Sequence, residues 1–258
     1  MTKYKAYFID LDGTIYAGKT RYPAAKRFIE RLQAAGTPFL FVTNNTTKLP
    51  EDVVKNLADN HDIHVSVDNV YTAGLATADY LDEQATSGPR TVYVIGEAGL
   101  KRALLAKRFI IDEVTPRYVV VGLDSDATYH KFATATLAIQ RGATFIGTNS
   151  DSNIPKEQGL MPGAGSLVKM VEYATQQRAF YIGKPEAIIM TKALSRMNLR
   201  PEDVVMVGDN YNTDIKAGQN VGMDTLLVYT GVSTPEQMAL VDRKPTHAIK
   251  SLDDWKLD

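Results

Sequence analysis

Short apolar, β-branched runs alternate along the chain with longer stretches of helical periodicity. The apolar runs predict strands over residues 5–9, 39–42, 70–72, 91–95, 118–121, 144–147, 180–182, 204–207 and 225–229. Apolar positions three or four apart predict helices over residues 23–35, 50–60, 73–83, 98–108, 129–141, 166–176, 186–197 and 213–219. This alternation predicts the doubly wound α/β class, with parallel sheets covered by helices on both faces.

The alternation is interrupted by a turn-rich segment, Ala-Thr-Ser-Gly-Pro-Arg, over residues 85–90, and it restarts after that segment. A long loop rich in Gly, Pro and Asn follows over residues 148–165. A chain of 258 residues is long for one small doubly wound domain, so two α/β blocks are predicted. Periodicity leaves open whether the blocks are consecutive or one is inserted in the other.

Composition and charge exclude several classes of function. The balance of 29 basic against 30 acidic residues argues against a nucleic-acid partner, which normally requires a basic surface. No apolar run approaches the ~18 residues of a membrane span, so we expect no membrane association and a cytoplasmic protein. The absence of cysteine excludes thiol nucleophiles, thiolate metal sites and disulfides.

Two carboxylates follow the first predicted strand, in the sequence Asp10-Leu11-Asp12-Gly13-Thr14. Ligands of open parallel sheets bind at the carboxyl ends of strands. One Asp in this place could simply form an Asx turn, but two neighbouring carboxylates repel each other unless a cation is bound. Further polar residues follow other predicted strands: Thr43, Asn44 and Asn45, then Lys184 in Gly-Lys-Pro, then Asp209 and Asp214.

Taken singly, the Thr43 loop and Asp214 could equally cap helices. Taken together, the strand-end residues predict one site, with four carboxylates at one edge of the sheet and Lys184 and Thr43 opposite them. Carboxylates this close need a counter-ion, and all-oxygen ligands favour a hard divalent cation, Mg²⁺ first. An Asp can act as a nucleophile that forms an aspartyl-phosphate, and a second acid can protonate the leaving oxygen.

These residues, in this order, resemble the four motifs of the haloacid dehalogenase (HAD) superfamily. Other stretches, among them Gly147-Thr148-Asn149 and Met161-Pro162-Gly163, resemble its NagD-like p-nitrophenylphosphatase branch. The resemblance implies a Rossmann-like core over residues 1–80 and 178–258. It also implies an inserted α/β cap over residues 81–177, from which the helix at 166–176 returns the chain to the core.

The resemblance also implies roles for individual residues. Asp10 becomes the nucleophile and a magnesium ligand, while Asp12 becomes the general acid/base and offers the metal its backbone carbonyl. Asp209 binds the metal directly, and Asp214 binds it directly or through water. Lys184 is expected both to assist catalysis and to bind phosphate. The other implied phosphate-binding residues are Thr43, Asn44, Asn45 and Gly13.

The implied enzyme hydrolyses small phosphomonoesters, with p-nitrophenyl phosphate as an artificial substrate. Phosphorylated sugar acids, sugar phosphates and nucleoside monophosphates are the expected substrate classes, and the cap could mediate a homodimer. A phosphotransferase or phosphomutase on the same scaffold would differ only in the acceptor. A receiver-like module that accepts phosphate without turnover is a non-enzymatic alternative, but it needs only about 120 residues.

Two smaller patterns receive other interpretations. Residues 13–20 match the P-loop pattern GxxxxGK[ST], but Ile15 and Tyr16 are bulky for a phosphate-wrapping loop, and Pro23 fits a later helix start. His61 and His64 lie in a polar segment and are interpreted as surface residues rather than metal ligands.

Overall fold

The chain divides into two units in the computed structural model, which describes residues 4–156 and 158–257. The core unit comprises the described residues up to Thr43, then Pro50–Tyr71, and then the chain from Lys184 onwards. The second unit comprises Asn44–Leu49 and Thr72–Gly183. The second unit therefore includes residues 44–49, 72–80 and 178–183, which the resemblance had assigned to the core. The role of that unit as a cap stays a prediction.

The predicted strands and helices are present, and the structure adds elements that the pattern did not indicate. The strands are β1 (Ala6–Ile9), β2 (Tyr16–Ala17), β3 (Thr20–Arg21), β4 (Phe39–Thr43), β5 (Val70–Thr72), β6 (Thr91–Ile95), β7 (Ile110–Ile111), β8 (Tyr118–Val121), β9 (Thr144–Gly147), β10 (Asn153–Lys156), β11 (Gly159–Pro162), β12 (Phe180–Tyr181), β13 (Val204–Gly208), β14 (Asp224–Val228) and β15 (His247–Ile249). The α-helices are α1 (Pro23–Ala34), α2 (Pro50–His61), α3 (Ala73–Gln84), α4 (Ala98–Ala106), α5 (Tyr129–Gln140), α6 (Ala164–Thr175), α7 (Ala187–Met197), α8 (Lys216–Asn220) and α9 (Pro235–Ala239). The added elements are the short strands β2, β3, β7 and β15, the hairpin β10-β11 inside the predicted loop over residues 148–165, and the helix α9.

The core sheet has the strand order β15-β14-β13-β1-β4-β5. Strand β1 lies in the middle and pairs in parallel with β4 and β13, so that Ile9 faces Phe41 on one side and Val207 on the other. This register aligns the carboxyl ends of the three strands. The residues that follow them in sequence therefore start from the same edge of the sheet.

Helix α1 shows why this part of the chain folds as predicted. Its apolar positions Phe28, Ile29 and Leu32 are buried in one cluster with side chains of β1 and β4. Pro23 opens the helix at a position where its missing amide hydrogen is not needed. Gly36 follows the helix with φ +62°, a left-handed conformation that glycine adopts without strain. The α/β class predicted from the sequence is confirmed.

The second unit has its own parallel sheet, of order β12-β9-β8-β6-β7, and an antiparallel hairpin, β10-β11. The structure corrects two expectations here. Strand β12, which precedes Lys184, does not join the core sheet, because Tyr181 pairs with Gly147 of β9. Helix α6 does not leave this unit either, because Val168 and Val171 are buried in its apolar cluster.

The structure supports the rejection of a P-loop over residues 13–20. Residues 13–20 fold back as the antiparallel hairpin β2-β3, with Tyr16 paired to Arg21. The following helix begins at Pro23, so no helix N-terminus stands beside Lys19.

Within the described ranges, no helix is long and apolar enough to cross a membrane.

The interpretation of His61 as a surface residue is wrong, whereas His64 is exposed as expected. His61 ends helix α2, is buried, and stacks on the Tyr16 ring with 4.3 Å between ring centroids. It continues the buried stripe of Val53 and Leu57 at a spacing of four residues. That spacing is a sequence signal that would have indicated its burial.

Candidate active site

Asp10 is the first residue after the central strand β1. Its backbone amide still donates to the carbonyl of Val207 at 2.9 Å, so the neighbouring strand fixes its backbone at the edge of the sheet. Its side chain is buried, and Lys184 Nζ donates to its Oδ1 at 2.5 Å. The residue predicted as the nucleophile therefore has a fixed position and a fixed cationic partner.

Asp209 and Asp214 come from the next strand. Asp209 directly follows β13, and Asp214 lies in the π-helical turn Tyr211–Ile215 that comes after it. One carboxylate oxygen from each of Asp10, Asp209 and Asp214 lies within 4.8 Å of the others, and all three side chains are buried. The structure thus brings together three of the four predicted carboxylates.

Asp12 is not part of this carboxylate cluster. Its backbone forms an isolated bridge to Tyr16, and its side chain is exposed. An exposed side chain is compatible with both implied roles. A general acid/base must be accessible to a substrate that enters from solvent, and a metal ligand that uses only its backbone carbonyl needs no buried side chain. The two roles implied for Asp12 stay predictions.

Lys184 lies among the carboxylates rather than opposite them, which corrects the predicted arrangement. Besides its bond to Asp10, its Nζ lies 2.8 Å from Asp214 Oδ1 and donates to the carbonyl of Val42 at 2.7 Å. Burial alone would lower the pKa of Lys184, but the charges of Asp10 and Asp214 outweigh burial and raise it. The lysine therefore carries its positive charge at neutral pH.

One lysine does not neutralise three carboxylates. Burial raises the pKa of Asp10 well above its ordinary value; the charge of Lys184 opposes this, while Asp214 and Asp209 add to it. Burial and the charge of Asp214 raise the pKa of Asp209 to about 6. A second cation would relieve this repulsion, and an all-oxygen set suits a hard divalent ion. The donor set therefore fits a divalent metal.

The carboxylate of Asp209 is oriented by residues that the sequence analysis missed. Thr14 Oγ1 donates to its Oδ1 at 3.0 Å, and the backbone amide of Val232 donates to its Oδ2 at 2.8 Å. Thr230 Oγ1 also donates to the Gly13 carbonyl at 2.6 Å. Residues 230–232 follow β14, so the strand-end rule would have found this loop had it been applied to that strand.

Two glycines leave room for this carboxylate. A Cβ at Gly13 would lie 2.5 Å from Asp209 Oδ2, and a Cβ at Gly231 would lie 2.0 Å from the same atom. Both distances are shorter than any real contact. Gly13, predicted to bind phosphate, is thus required at this position by the close approach of Asp209 and by its own φ of +93°.

The predicted phosphate-binding residues fall in both units. Thr43 ends β4 in the core unit and is buried. Asn44 and Asn45 belong to the second unit. Asn45 Oδ1 accepts from the backbone amides of Thr47 and Lys48 at 2.9 and 3.1 Å, so this side chain stabilises its own loop. Phosphate binding by these residues stays a prediction.

Comparison with known proteins identifies the family of the chain. A family model described as haloacid dehalogenase-like hydrolase matches residues 7–109, and one described as HAD-hydrolase-like matches residues 181–255. An acid sugar phosphatase of Staphylococcus aureus is 48% identical over 255 residues, 98% of this chain and 97% of that protein. The chain belongs to the HAD-like hydrolase family.

Solved structures identify the branch of the HAD family. NagD from E. coli K-12 matches with a TM-score of 0.93 at 30% identity, and each chain is covered completely. A thermostable p-nitrophenylphosphatase from Bacillus stearothermophilus matches with a TM-score of 0.89 at 45% identity, again over 100% of both chains. The predicted NagD-like branch is confirmed, and this HAD enzyme is a phosphatase.

The close approach at Gly13 leads to a first prediction for this HAD phosphatase. Gly13→Ala is expected to lower activity by at least about 10-fold, because the new methyl group displaces the Asp209 carboxylate. Gly18→Ala is the matched control, because Gly18 also has a positive φ (+56°) but nothing lies within 4 Å of its Cβ position. It should cost about 1–2 kcal/mol of stability from backbone strain and leave kcat unchanged.

Hydrolysis of p-nitrophenyl phosphate and thermal unfolding of both variants would separate the two effects. Equal losses of activity in the two variants would mean that strain in the loop, and not contact with Asp209, explains the glycine.

Proposed function

We propose that the chain is a Mg²⁺-dependent phosphatase that hydrolyses small phosphomonoesters through an aspartyl-phosphate intermediate. The observation that carries the proposal is the environment of Asp10, which is buried at the end of β1, paired with Lys184 at 2.5 Å and clustered with Asp209 and Asp214. A carboxylate held in place beside a cation suits nucleophilic attack on a phosphorus atom.

The proposed reaction has two steps. An Asp10 carboxylate oxygen forms a bond to phosphorus while the bond from phosphorus to the leaving oxygen breaks, and Asp12 gives its proton to that oxygen. Water then attacks the aspartyl-phosphate, Asp12 takes a proton from the water, and the bond between phosphorus and Asp10 breaks. Inorganic phosphate and the alcohol are the products.

The charged neighbours of Asp10 have separate roles in this proposal. Lys184 holds the Asp10 side chain in one orientation and, with Thr43 and Asn44, binds the phosphoryl group. Asp10, Asp209 and the Asp12 carbonyl would hold Mg²⁺ directly, and Asp214 would hold it directly or through water. The bound ion would neutralise the carboxylates and stabilise charge on the phosphoryl oxygens.

Sugar phosphates are the first proposed substrate class. The Staphylococcus aureus relative is named an acid sugar phosphatase, and it is similar to this chain over nearly its whole length. Phosphorylated sugar acids and nucleoside monophosphates are the other two classes to test. p-Nitrophenyl phosphate is proposed as an artificial substrate, in keeping with the names of the structural relatives.

A panel of phosphomonoesters from these classes, assayed with Mg²⁺ by release of inorganic phosphate, tests the proposal. We expect release from p-nitrophenyl phosphate and from at least one sugar phosphate. No release from any ester would contradict it. An acceptor sugar added to the assay distinguishes a phosphotransferase, which would form a new ester, and stable phosphorylation of Asp10 without turnover would indicate a receiver-like module.

The location and the assembly state remain proposals of their own. We propose a cytoplasmic location, and a homodimer formed through the second unit is the assembly to test. Cell fractionation and light scattering of the purified protein would test them.

A further inference from the structure

Asn44 is the residue at which the chain passes from the core unit into the second unit. It directly follows Thr43, the last residue of β4, and the chain returns to the core unit for the last time between Gly183 and Lys184. The chain also crosses between the units at Leu49–Pro50 and at Tyr71–Thr72, so two of the four crossings lie next to a proposed phosphate-binding residue. Contacts that hold the Asn44 carbonyl and side chain therefore hold the residue whose own backbone amide lies next to Thr43.

The second unit fixes Asn44 through two different groups. Asn149 Nδ2 donates to the main-chain carbonyl of Asn44 at 2.9 Å. The Asn44 side chain donates from Nδ2 to both carboxylate oxygens of Asp151, at 3.0 and 3.1 Å. Asn149 and Asp151 come from the segment after β9, more than a hundred residues along the chain. We call these three residues the Asn44 cluster.

The members of the Asn44 cluster also fix one another. Asn149 Oδ1 accepts from the backbone amide of Asp151 at 3.1 Å, which orients the Asn149 amide group and positions the carboxylate. Asn149 is 3% exposed, so its amide is held away from water in a single arrangement. Gly183 closes against the cluster, because a Cβ there would lie 2.7 Å from Asn44 Oδ1 and 2.9 Å from Asn149 Cβ.

We propose that Asn149 and Asp151 are positioning residues for phosphoryl binding, acting through Asn44. Asn149 fixes the main chain of residue 44, and Asp151 fixes its side chain. Together they hold Asn44 in the orientation in which its backbone amide is proposed to bind a phosphoryl oxygen. The inference rests on the proposed function, since it concerns the binding of the phosphoryl group that this function requires.

Kinetics of Asn149→Ala and Asp151→Ala test the inference. Each is expected to raise both KM for p-nitrophenyl phosphate and the inhibition constant of inorganic phosphate by about 5- to 10-fold, the loss expected from one hydrogen bond to a well-ordered group. Asp151→Asn should recover most of the affinity, because its side-chain oxygen still accepts from Asn44. Asn149→Asp should not recover it, because a carboxylate cannot donate to the Asn44 carbonyl.

Asn69→Ala is the matched control. Asn69 Nδ2 donates to the carbonyl of Phe39, so it makes the same kind of bond to a main-chain carbonyl, but at the opposite end of β4 from Thr43 and Asn44. This variant should lose stability without a change in KM or in phosphate inhibition. If it raised both constants as much as Asn149→Ala, the effect would be a general one on β4 and the inference would be overturned.

Double variants that carry Asn44→Ala separate the effect of Asn149 on the Asn44 main chain from the effect of Asp151 on the Asn44 side chain. Asp151→Ala should have a much smaller effect on phosphate inhibition there, because the Asn44 side chain that it holds is already absent. Asn149→Ala should keep its effect, because it acts on the main chain. If both retained full effects, the cluster would not act through Asn44. Wild-type enzyme that released no phosphate from any ester would contradict the proposed function instead, and an active wild type with unaffected variants would contradict this inference alone.

Discussion

Asp10→Asn is expected to lower the turnover of phosphate esters by more than about 10³-fold, since the amide oxygen is a poor nucleophile and the reaction loses its first bond-forming step. The substitution preserves the shape of the side chain. Its oxygen can still accept from Lys184, which keeps its bonds to Asp214 and to the Val42 carbonyl. The folded structure and its melting temperature should therefore change little.

Rapid-quench measurements with a radiolabelled ester would check this result directly. The wild-type protein should carry labelled phosphate during turnover, and the variant should carry none. Asp253→Asn is a suitable control, because Asp253 is a half-exposed carboxylate that pairs with Arg27 on the surface. If Asp10→Asn kept activity while Lys19→Ala abolished it, the rejected P-loop interpretation of residues 13–20 would be right.

The position of Asp10 could be predicted because it depends on a rule of parallel sheets. The run Tyr7-Phe8-Ile9 is wholly apolar, as expected for a strand buried on both faces, and the first polar residue after it must lie at the sheet edge. The same rule located Asp209 after β13. These residues meet because the strands are neighbours in register, and the hydrophobic pattern indicates both strands.

The place of Lys184 could not be predicted in the same way. It follows β12, a strand of two residues whose Phe180 is 44% exposed, and nothing in so short a segment specifies its partner. Tyr181 of β12 pairs with Gly147 in the sheet of the second unit, and Gly147 lies more than thirty positions earlier in the chain. The reach of the lysine side chain into the carboxylate cluster is likewise a tertiary property.

Main-chain donors to the site could not be predicted from the sequence, for a different reason. The amide of Val232 contacts Asp209, but any residue except proline has such an amide, so the residue type at position 232 carries no signal. The hydroxyl of Thr14 was visible in the first motif, yet its contact with Asp209 depends on the loop conformation that Gly13 permits.

Removal of divalent metal is expected to abolish hydrolysis, and added Mg²⁺ is expected to restore it. The physical reason is the buried cluster of Asp10, Asp209 and Asp214, whose charges Lys184 balances only in part. The same reasoning predicts an effect on folding that needs no turnover. Mg²⁺ should raise the melting temperature of EDTA-treated protein, because the ion binds the folded cluster and not the unfolded chain.

This rise in melting temperature should depend on pH. The pKa of Asp209 is raised to about 6 from its ordinary value of 3.8, so the folded, metal-free protein binds that proton more tightly than the unfolded chain does. The stability that this carboxyl contributes without metal is fully present below about pH 4 and is lost as pH rises through about 6. Mg²⁺ competes with the proton, so its stabilising effect should be small at pH 5 and grow above pH 6.

Two variants distinguish a metal site from a general effect of salt. Asp209→Asn should remove the rise in melting temperature, and with it the pH dependence of that rise, because it removes a proposed metal ligand. Asp12→Asn should keep the rise, because Asp12 is proposed to offer the metal only its backbone carbonyl, yet it should lose hydrolysis. A rise that is equally large in Asp209→Asn, measured by thermal unfolding with and without Mg²⁺ between pH 5 and 8, would show that the ion binds elsewhere.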